Sequence, residues 1–131
     1  MNQANRTVFV CDDNADTREL ITFAFQLKGY EVISCDNLEE CLSEARAKNF
    51  QAIILDNRFG QTSSLEVCKE IRSFDSEIPI IFFSGEVRES EIDKALTAGA
   101  NAYLIKPNDF EKLVSTTLGL IQTTPSNPQN N

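Results

Sequence analysis

Four short apolar runs and one short mixed strand, separated by amphipathic stretches, constrain this chain more than anything else in it. Thr7–Cys11 (TVFVC), Glu31–Cys35, Ala52–Leu55 (AIIL), Pro79–Phe83 (PIIFF) and Ala102–Ile105 (AYLI) read as strands. Runs that are apolar at every position suit strands covered on both faces. The stretches between them have helical spacing. Asp16–Lys28 sets Leu20, Ile21, Ala24, Phe25 and Leu27 along one face and ends at Gly29. Asn37 followed by Glu40 marks a helix start, with the helix reaching Lys48. Ser63 with Glu66 reads as a capping box opening a helix that ends near Ser73. Glu89–Ala98 is closed by Gly99. Asn108 with Glu111 starts a last helix, on which Phe110, Leu113, Val114, Thr117, Leu118 and Ile121 form one stripe. Strand then helix, five times over, predicts an α/β fold with one doubly wound parallel sheet, and right-handed crossovers leave few topologies for it.

The rest of the composition excludes several classes. The chain has 131 residues and a net charge of −8, without the clustered Lys and Arg that a binder of nucleic-acid backbone needs. No stretch approaches the roughly 20 apolar residues of a membrane span. Met1–Arg6 is polar and has no apolar signal core, so a cytoplasmic protein is expected. Cys11, Cys35, Cys41 and Cys68 include no CxxC, and the chain has no histidine. That disfavours zinc and leaves the cysteines as small apolar residues in a reducing compartment. The domain is expected over residues 7–122, with 1–6 as an N-terminal tail and 123–131 (TTPSNPQNN) as a disordered tail or the start of a linker.

In an open parallel sheet, ligands bind beyond the carboxyl ends of the strands. Asp12 and Asp13 follow the first strand, Asp56 the third, Ser84 the fourth and Lys106 the fifth. Each alone has a plain reading as a turn or helix-start residue. Together they place three carboxylates, a hydroxyl and an ammonium at one end of the sheet. Two like unit charges about 4 Å apart cost on the order of 4 kcal/mol at an effective dielectric of 20, and one lysine cannot neutralise three carboxylates. A hard divalent cation can, and a few carboxylates plus water is the usual Mg²⁺ arrangement. A cation, a nucleophilic carboxylate, a hydroxyl donor and an ammonium suit phosphoryl transfer to an aspartate.

VFVCDDN, IILDNRF, IIFFSGE and AYLIKP, taken together, resemble response-regulator receivers of the chemotaxis-receiver kind, over about residues 7–122. The resemblance implies the flavodoxin-like (βα)5 fold, with strand order 2-1-3-4-5. It implies that Asp56 accepts the phosphoryl group and that Asp13, Asp56 and the backbone carbonyl of Arg58 bind Mg²⁺, with Asp12 acting mainly through metal-bound water. Lys106 would pair with the phosphoryl oxygens and Ser84 would hydrogen-bond one of them. Tyr103 would turn inward as Ser84 moves; before that its hydroxyl can stand in solvent. The Lys106–Pro107 bond would be cis. Arg58 and Glu86 occupy the variable positions flanking the phosphoryl group, where an ion pair between them would modulate its lifetime. A phosphohistidine on a histidine kinase or a histidine phosphotransfer protein would be the donor, and a downstream protein would read the switch. Related receivers meet such donors with the first helix, where Phe23, lying off the apolar face, would join Thr17 and Leu20 in a partner surface.

The sequence departs from the family at Gly60 and Ser64, where receivers often have Pro and Gly; a more flexible loop after Asp56 is expected. A haloacid-dehalogenase-like phosphatase would need an Asp two residues beyond the nucleophile, where Arg58 stands. A flavodoxin-like carrier would need a phosphate loop where DDNAD stands, and no GxxxxGK[ST] is present. The alternative is a phosphorylation-independent pseudo-receiver that only binds a protein. The reading is of a signalling switch rather than an enzyme, free-standing or cut from a longer regulator.

Overall fold

The computed structural model describes residues 6–59 and 62–123; the terminal segments read as tails lie largely outside them. Five parallel strands form the sheet: β1 (Thr7–Cys11), β2 (Glu31–Cys35), β3 (Ala52–Leu55), β6 (Ile80–Ser84) and β7 (Ala102–Ile105), side by side in the order β2-β1-β3-β6-β7. Counting only these five, the order is 2-1-3-4-5. Side chains alternate across a strand. Phe9, Cys11, Ile53, Leu55, Ile80 and Phe82 therefore join the core on one face, and Val8, Val10, Ala52, Ile54, Ile81 and Phe83 the core on the other. Helices α2 (Leu38–Ala47), α3 (Ser64–Phe74) and α4 (Glu89–Ala98) close the first face. Helices α1 (Ala15–Gln26) and α5 (Phe110–Thr123) close the second. Every residue of β3 and β6 is buried, as expected for central strands. Arg6, assigned to the tail by sequence, already accepts a hydrogen bond from Glu31 N at 2.8 Å.

Local chemistry sets most helix starts where the sequence put them. Asn37 caps α2 by accepting from Glu40 N at 2.7 Å, and its amide reaches Glu40 Oε1 in return at 3.3 Å. Ser63 caps α3, but accepts from Leu65 N, one residue earlier than a capping box requires. Two details differ more. The last helix begins at Phe110 rather than at Asn108, because residues 106–109 form a turn in which the Asp109 carboxylate accepts from Ile105 N at 2.9 Å. Helix α1 buries Ile21 and Phe25, one turn apart, while Leu20, Phe23 and Leu27 are 55%, 60% and 70% exposed. The apolar stretch thus has a second, outward stripe in addition to the one facing the sheet. A short antiparallel pair, β4 (Arg58–Phe59) with β5 (Thr62–Ser63), was not anticipated; it folds the loop after β3 back on itself.

Gly29 and Gly99 both have positive φ, ending α1 and α4 as the sequence implies. Gly99 is the more demanding. A Cβ there would lie 2.6 Å from Cγ of Arg72, whose Nε donates to Gly99 O and whose Nη2 donates to Asn101 Oδ1, both at 2.9 Å. Gly99→Ala combines backbone strain with loss of this clasp and is expected to destabilise the fold by about 1–3 kcal/mol. Urea unfolding of the two proteins measures it, and a difference below about 0.5 kcal/mol, the level of an ordinary surface change, would refute it.

Candidate functional site

The register of the sheet fixes the site. Cys11 is paired with Leu55 and Leu55 with Phe82, while Ser84 is paired with Ile105. The residues that follow β1, β3 and β7, and the last residue of β6, therefore emerge along one edge. Asp12 and Asp56 are buried, at 2% and 7% exposure, and Asp13 is exposed. One carboxylate oxygen from each of the three lies within 4.8 Å of the others. Burial of two carboxylates demands compensation. Lys106 Nζ supplies part of it, donating to Asp12 Oδ2 at 2.7 Å and to Asp56 Oδ2 at 3.1 Å. Asp12 Oδ1 also accepts from Asn14 N at 2.9 Å, and Arg18 Nη1 donates to Asp12 O at 2.8 Å. Partial burial alone would lower the Lys106 pKa, but the hydrogen bond to Asp12 and the charges of Asp56 and Asp12 outweigh it and raise it. Lys106 is thus held as an ammonium across the neutral range. Three hard oxygen donors in this space, only two of them touched by the lysine, fit a small divalent cation.

Beside Asp56 a cleft of about 360 Å³ is lined by Asp56, Ser84, Gly85, Glu86 and Val87. Ser84 is fully buried and its Oγ accepts from Glu86 N at 3.1 Å. The Lys106–Pro107 peptide is cis, and Lys106 N donates to Ser84 O at 2.9 Å, carrying the strand pairing one step beyond the sheet. The structure thus gathers Asp12, Asp13, Asp56, Ser84 and Lys106 at one end of the sheet, with the cleft opening beside Asp56 and Ser84.

Tyr103 differs from the solvent-facing hydroxyl allowed by sequence. Its ring stacks on Phe82, with centroids 5.7 Å apart and planes 9° apart. Its hydroxyl donates to Glu86 O at 2.9 Å and accepts from Asn57 Nδ2 at 3.2 Å. Burial raises its pKa, against the opposing pull of hydrogen bonds from Ser84 and Asn57, so it remains a neutral phenol. Sequence reasoning did not single out Asn57; only its place beside Asp56 hinted at a role. Glu86 is engaged by Arg88, which grips both carboxylate oxygens at 2.9 Å. The side chain of Arg58, the expected partner of Glu86, lies outside the described residues.

The described ends of the loop after Asp56 are tied to the fold. Ser64 is fully buried and its hydroxyl donates to the backbone carbonyl of Asp56, while β4 and β5 pair between them. A side chain that usually is absent at this position here fastens the loop. Ser64→Ala leaves a buried carbonyl without that donor and is expected to cost about 1–3 kcal/mol. It should also broaden amide NMR signals from residue 56 to residue 64; an unchanged unfolding midpoint together with unchanged line widths would disprove the clasp.

A family model described as response regulator receiver domain matches residues 8–117. The response regulator MprA of Mycolicibacterium vanbaalenii is 31% identical over 119 residues, 90% of this chain and 52% of that protein. The transcriptional regulatory protein ZraR of Klebsiella oxytoca is 31% identical over 106 residues, 81% of this chain and 24% of its own length. The chain thus spans about half or less of these curated relatives. Among solved structures, the response regulator TrrA of Thermotoga maritima, in complex with Mg²⁺ and BeF, superposes with a TM-score of 0.79 at 31% identity, covering 88% of this chain and 98% of that one. A two-component response regulator from Clostridium difficile has a TM-score of 0.85 at 22% identity, covering 92% and 98%.

Proposed function

The chain belongs to the response regulator receiver domain family, and from that premise we propose that it is a phosphoacceptor switch that takes a phosphoryl group from a phosphohistidine onto Asp56. The observation that carries this reading is the Lys106 ammonium lying between Asp12 and Asp56, beside a cleft that opens onto the Asp56 carboxylate. An Asp56 oxygen attacks phosphorus, the bond from phosphorus to the donor imidazole breaks, and the imidazole leaves. Lys106, positively charged throughout the neutral range, holds the phosphoryl oxygens that the transfer brings into the cleft. Asp12, Asp13, Asp56 and the carbonyl of Arg58 would hold Mg²⁺, which when bound neutralises the charge shared by carboxylates and phosphoryl group. Ser84 turns its hydroxyl from Glu86 N toward a phosphoryl oxygen, and Tyr103, with Asn57, follows that movement into the loop before α4.

The donor is a histidine kinase or a histidine phosphotransfer protein, and the outward stripe of α1, Leu20 and Phe23 with Thr17, is offered as part of its landing surface. A downstream protein reads the surface formed by α4, β7 and α5. Among the described residues no helix is long and apolar enough to cross a membrane. The chain's net charge of −8 gives no reason to look for direct contact with nucleic acid.

Phosphotransfer from a phosphorylated histidine protein, or labelling by acetyl phosphate, should depend on Mg²⁺ and vanish in Asp56→Asn. Mg²⁺ should raise the melting temperature of the wild type, and less so that of Asp13→Ala, as any ligand specific to the folded state does. Labelling that survives Asp56→Asn and maps elsewhere would sink the assignment. Absent labelling with unchanged melting would favour the phosphorylation-independent binding module instead.

Glu86 lines the cleft with its carboxylate held by Arg88, and Arg58 follows Asp56 by two residues, so the two are proposed to act together on the approach of a hydrolytic water. Shielding by this pair predicts faster loss of phosphate from Arg58→Ala and from Glu86→Ala, with the double variant no faster than the quicker single. Slower decay in both singles would instead make Glu86 a water-positioning group.

A further inference from the structure

Behind the carboxylates lies a pair of thiols that phosphoryl transfer does not use. Cys11 is the last residue of β1 and Cys35 the last of β2, and the two are register partners. Neighbouring strands lie about 4.7–4.9 Å apart, inside the Cα separation of 4.4–6.8 Å that disulfides adopt. Both side chains point to the same face of the sheet, and Cys35 Sγ donates to Cys11 Sγ at 3.2 Å. A disulfide needs the sulfurs at about 2.05 Å, so closure asks for an approach of about 1.2 Å. Both cysteines are free, at 0% and 5% exposure.

The surroundings tolerate that closure. Cys11 Sγ and Cys35 Sγ both reach Asn37 O, at 3.4 and 3.3 Å. Losing both S–H donors does not strand that carbonyl, because Cys41 N also donates to it at 3.2 Å. Access is from the side of β2, an edge strand of the sheet, where Cys35 keeps its slight exposure. Cys68 belongs to a different neighbourhood, its thiol donating to Ala98 O.

The pair is also tied to the site. Asp12 is the next residue after Cys11, and its N–H donates to Cys35 O at 3.2 Å. The peptide that launches Asp12 and Asp13 is therefore held by the same two residues that carry the thiols.

We propose that Cys11 and Cys35 are a redox-active dithiol that closes to a disulfide on reaction with a hydroperoxide and so weakens cation binding at Asp12 and Asp13. One thiol sulfur attacks a peroxide oxygen, breaking the O–O bond to give a sulfenic acid and one water. The second thiol sulfur then attacks the sulfenic sulfur, forming the S–S bond and releasing a second water. Two thiols and one hydrogen peroxide thus give one disulfide and two waters. The effect on the cation rests on the reading of the carboxylates given above; the dithiol itself does not.

The native protein is treated with hydrogen peroxide, remaining thiols are blocked, and the intact mass and unreduced peptides are measured. The expected result is loss of two hydrogens, a Cys11–Cys35 cross-link and full reversal by dithiothreitol. The same link should form in Cys68→Ala and be missing from Cys11→Ser and Cys35→Ser. Oxygen addition without a cross-link, or a link that uses Cys41 in place of either residue, overturns the dithiol. Mg²⁺ titrations followed by amide NMR shifts are then compared for reduced and oxidised protein, with a severalfold loss of affinity expected on oxidation and none in peroxide-treated Cys35→Ser. Equal affinities overturn the coupling. If reduced protein does not respond to Mg²⁺ at all, the cation reading falls and the coupling with it, while the cross-link result still decides the dithiol.

Discussion

The contact on which the rest of the site depends is the Lys106 ammonium seated between Asp12 and Asp56. Two carboxylates this buried would otherwise repel each other with no compensating charge. The sheet order makes the contact possible, because β1 and β3 are neighbours and β7 lies on their far side beyond β6, from where the long Lys106 side chain reaches back to both. The lysine in turn leaves Asp13 uncovered at the rim. The folded chain therefore holds a negative site that is partly neutralised and still open to a cation. A site fully paired within the chain would be stable and inert.

A chain of short polar contacts runs from this site to the surface. Asn57 follows Asp56 and donates to the Tyr103 hydroxyl, which donates to Glu86 O. The Glu86 carboxylate is held by Arg88, the cap residue of α4. No link is strong alone, since a typical hydrogen bond nets about 0.5–1.5 kcal/mol. Their value lies in geometry: Asn57 follows β3, Tyr103 sits on β7, and Glu86 and Arg88 share the loop before α4, so a change at one end must be accommodated by the next. Ser64 acts in the opposite sense, by fixing the carbonyl of Asp56 so that its carboxylate can be acted on without the backbone giving way.

The fold, and the meeting of Asp12, Asp13, Asp56 and Lys106 at one end of it, were legible because both follow from simple periodicities. Apolar runs such as AIIL and PIIFF have no other stable home than the middle of a covered sheet, and the residues after them must then meet at one end. What escaped sequence reasoning was set by tertiary partners. Leu20 and Leu27 were assigned to the buried face of α1, yet the sheet accepts only Ile21 and Phe25, a choice made by the angle of the helix. Asn108 has the residue type of a helix cap, but the turn at 106–109 is organised by Asp109 instead. The departure at Ser64 was visible, though its sense was not. Added freedom was inferred from Gly60 and Ser64 standing where proline and glycine are usual, and only the position of the Asp56 carbonyl shows the Ser64 hydroxyl to be a fastener.

The clasp of Arg72 around Gly99 and Asn101 bears on how this molecule can move. Asn101 Oδ1, besides taking the Arg72 guanidinium, accepts from Ile80 N at 2.8 Å, so the end of α4, the start of β6 and the flank of α3 are knotted at the pole farthest from the carboxylates. The opposite end of α4 has no side-chain cap and hangs from the loop that carries Glu86. A rod pinned at one tip has a fulcrum, and its travel grows with distance from it. At 1.5 Å per residue α4 is a lever of about 15 Å. Rotation of a few degrees would leave Gly99 at rest and sweep Glu89 by about an ångström. The travel of this helix is therefore greatest at the tip beside Glu86 and the cleft.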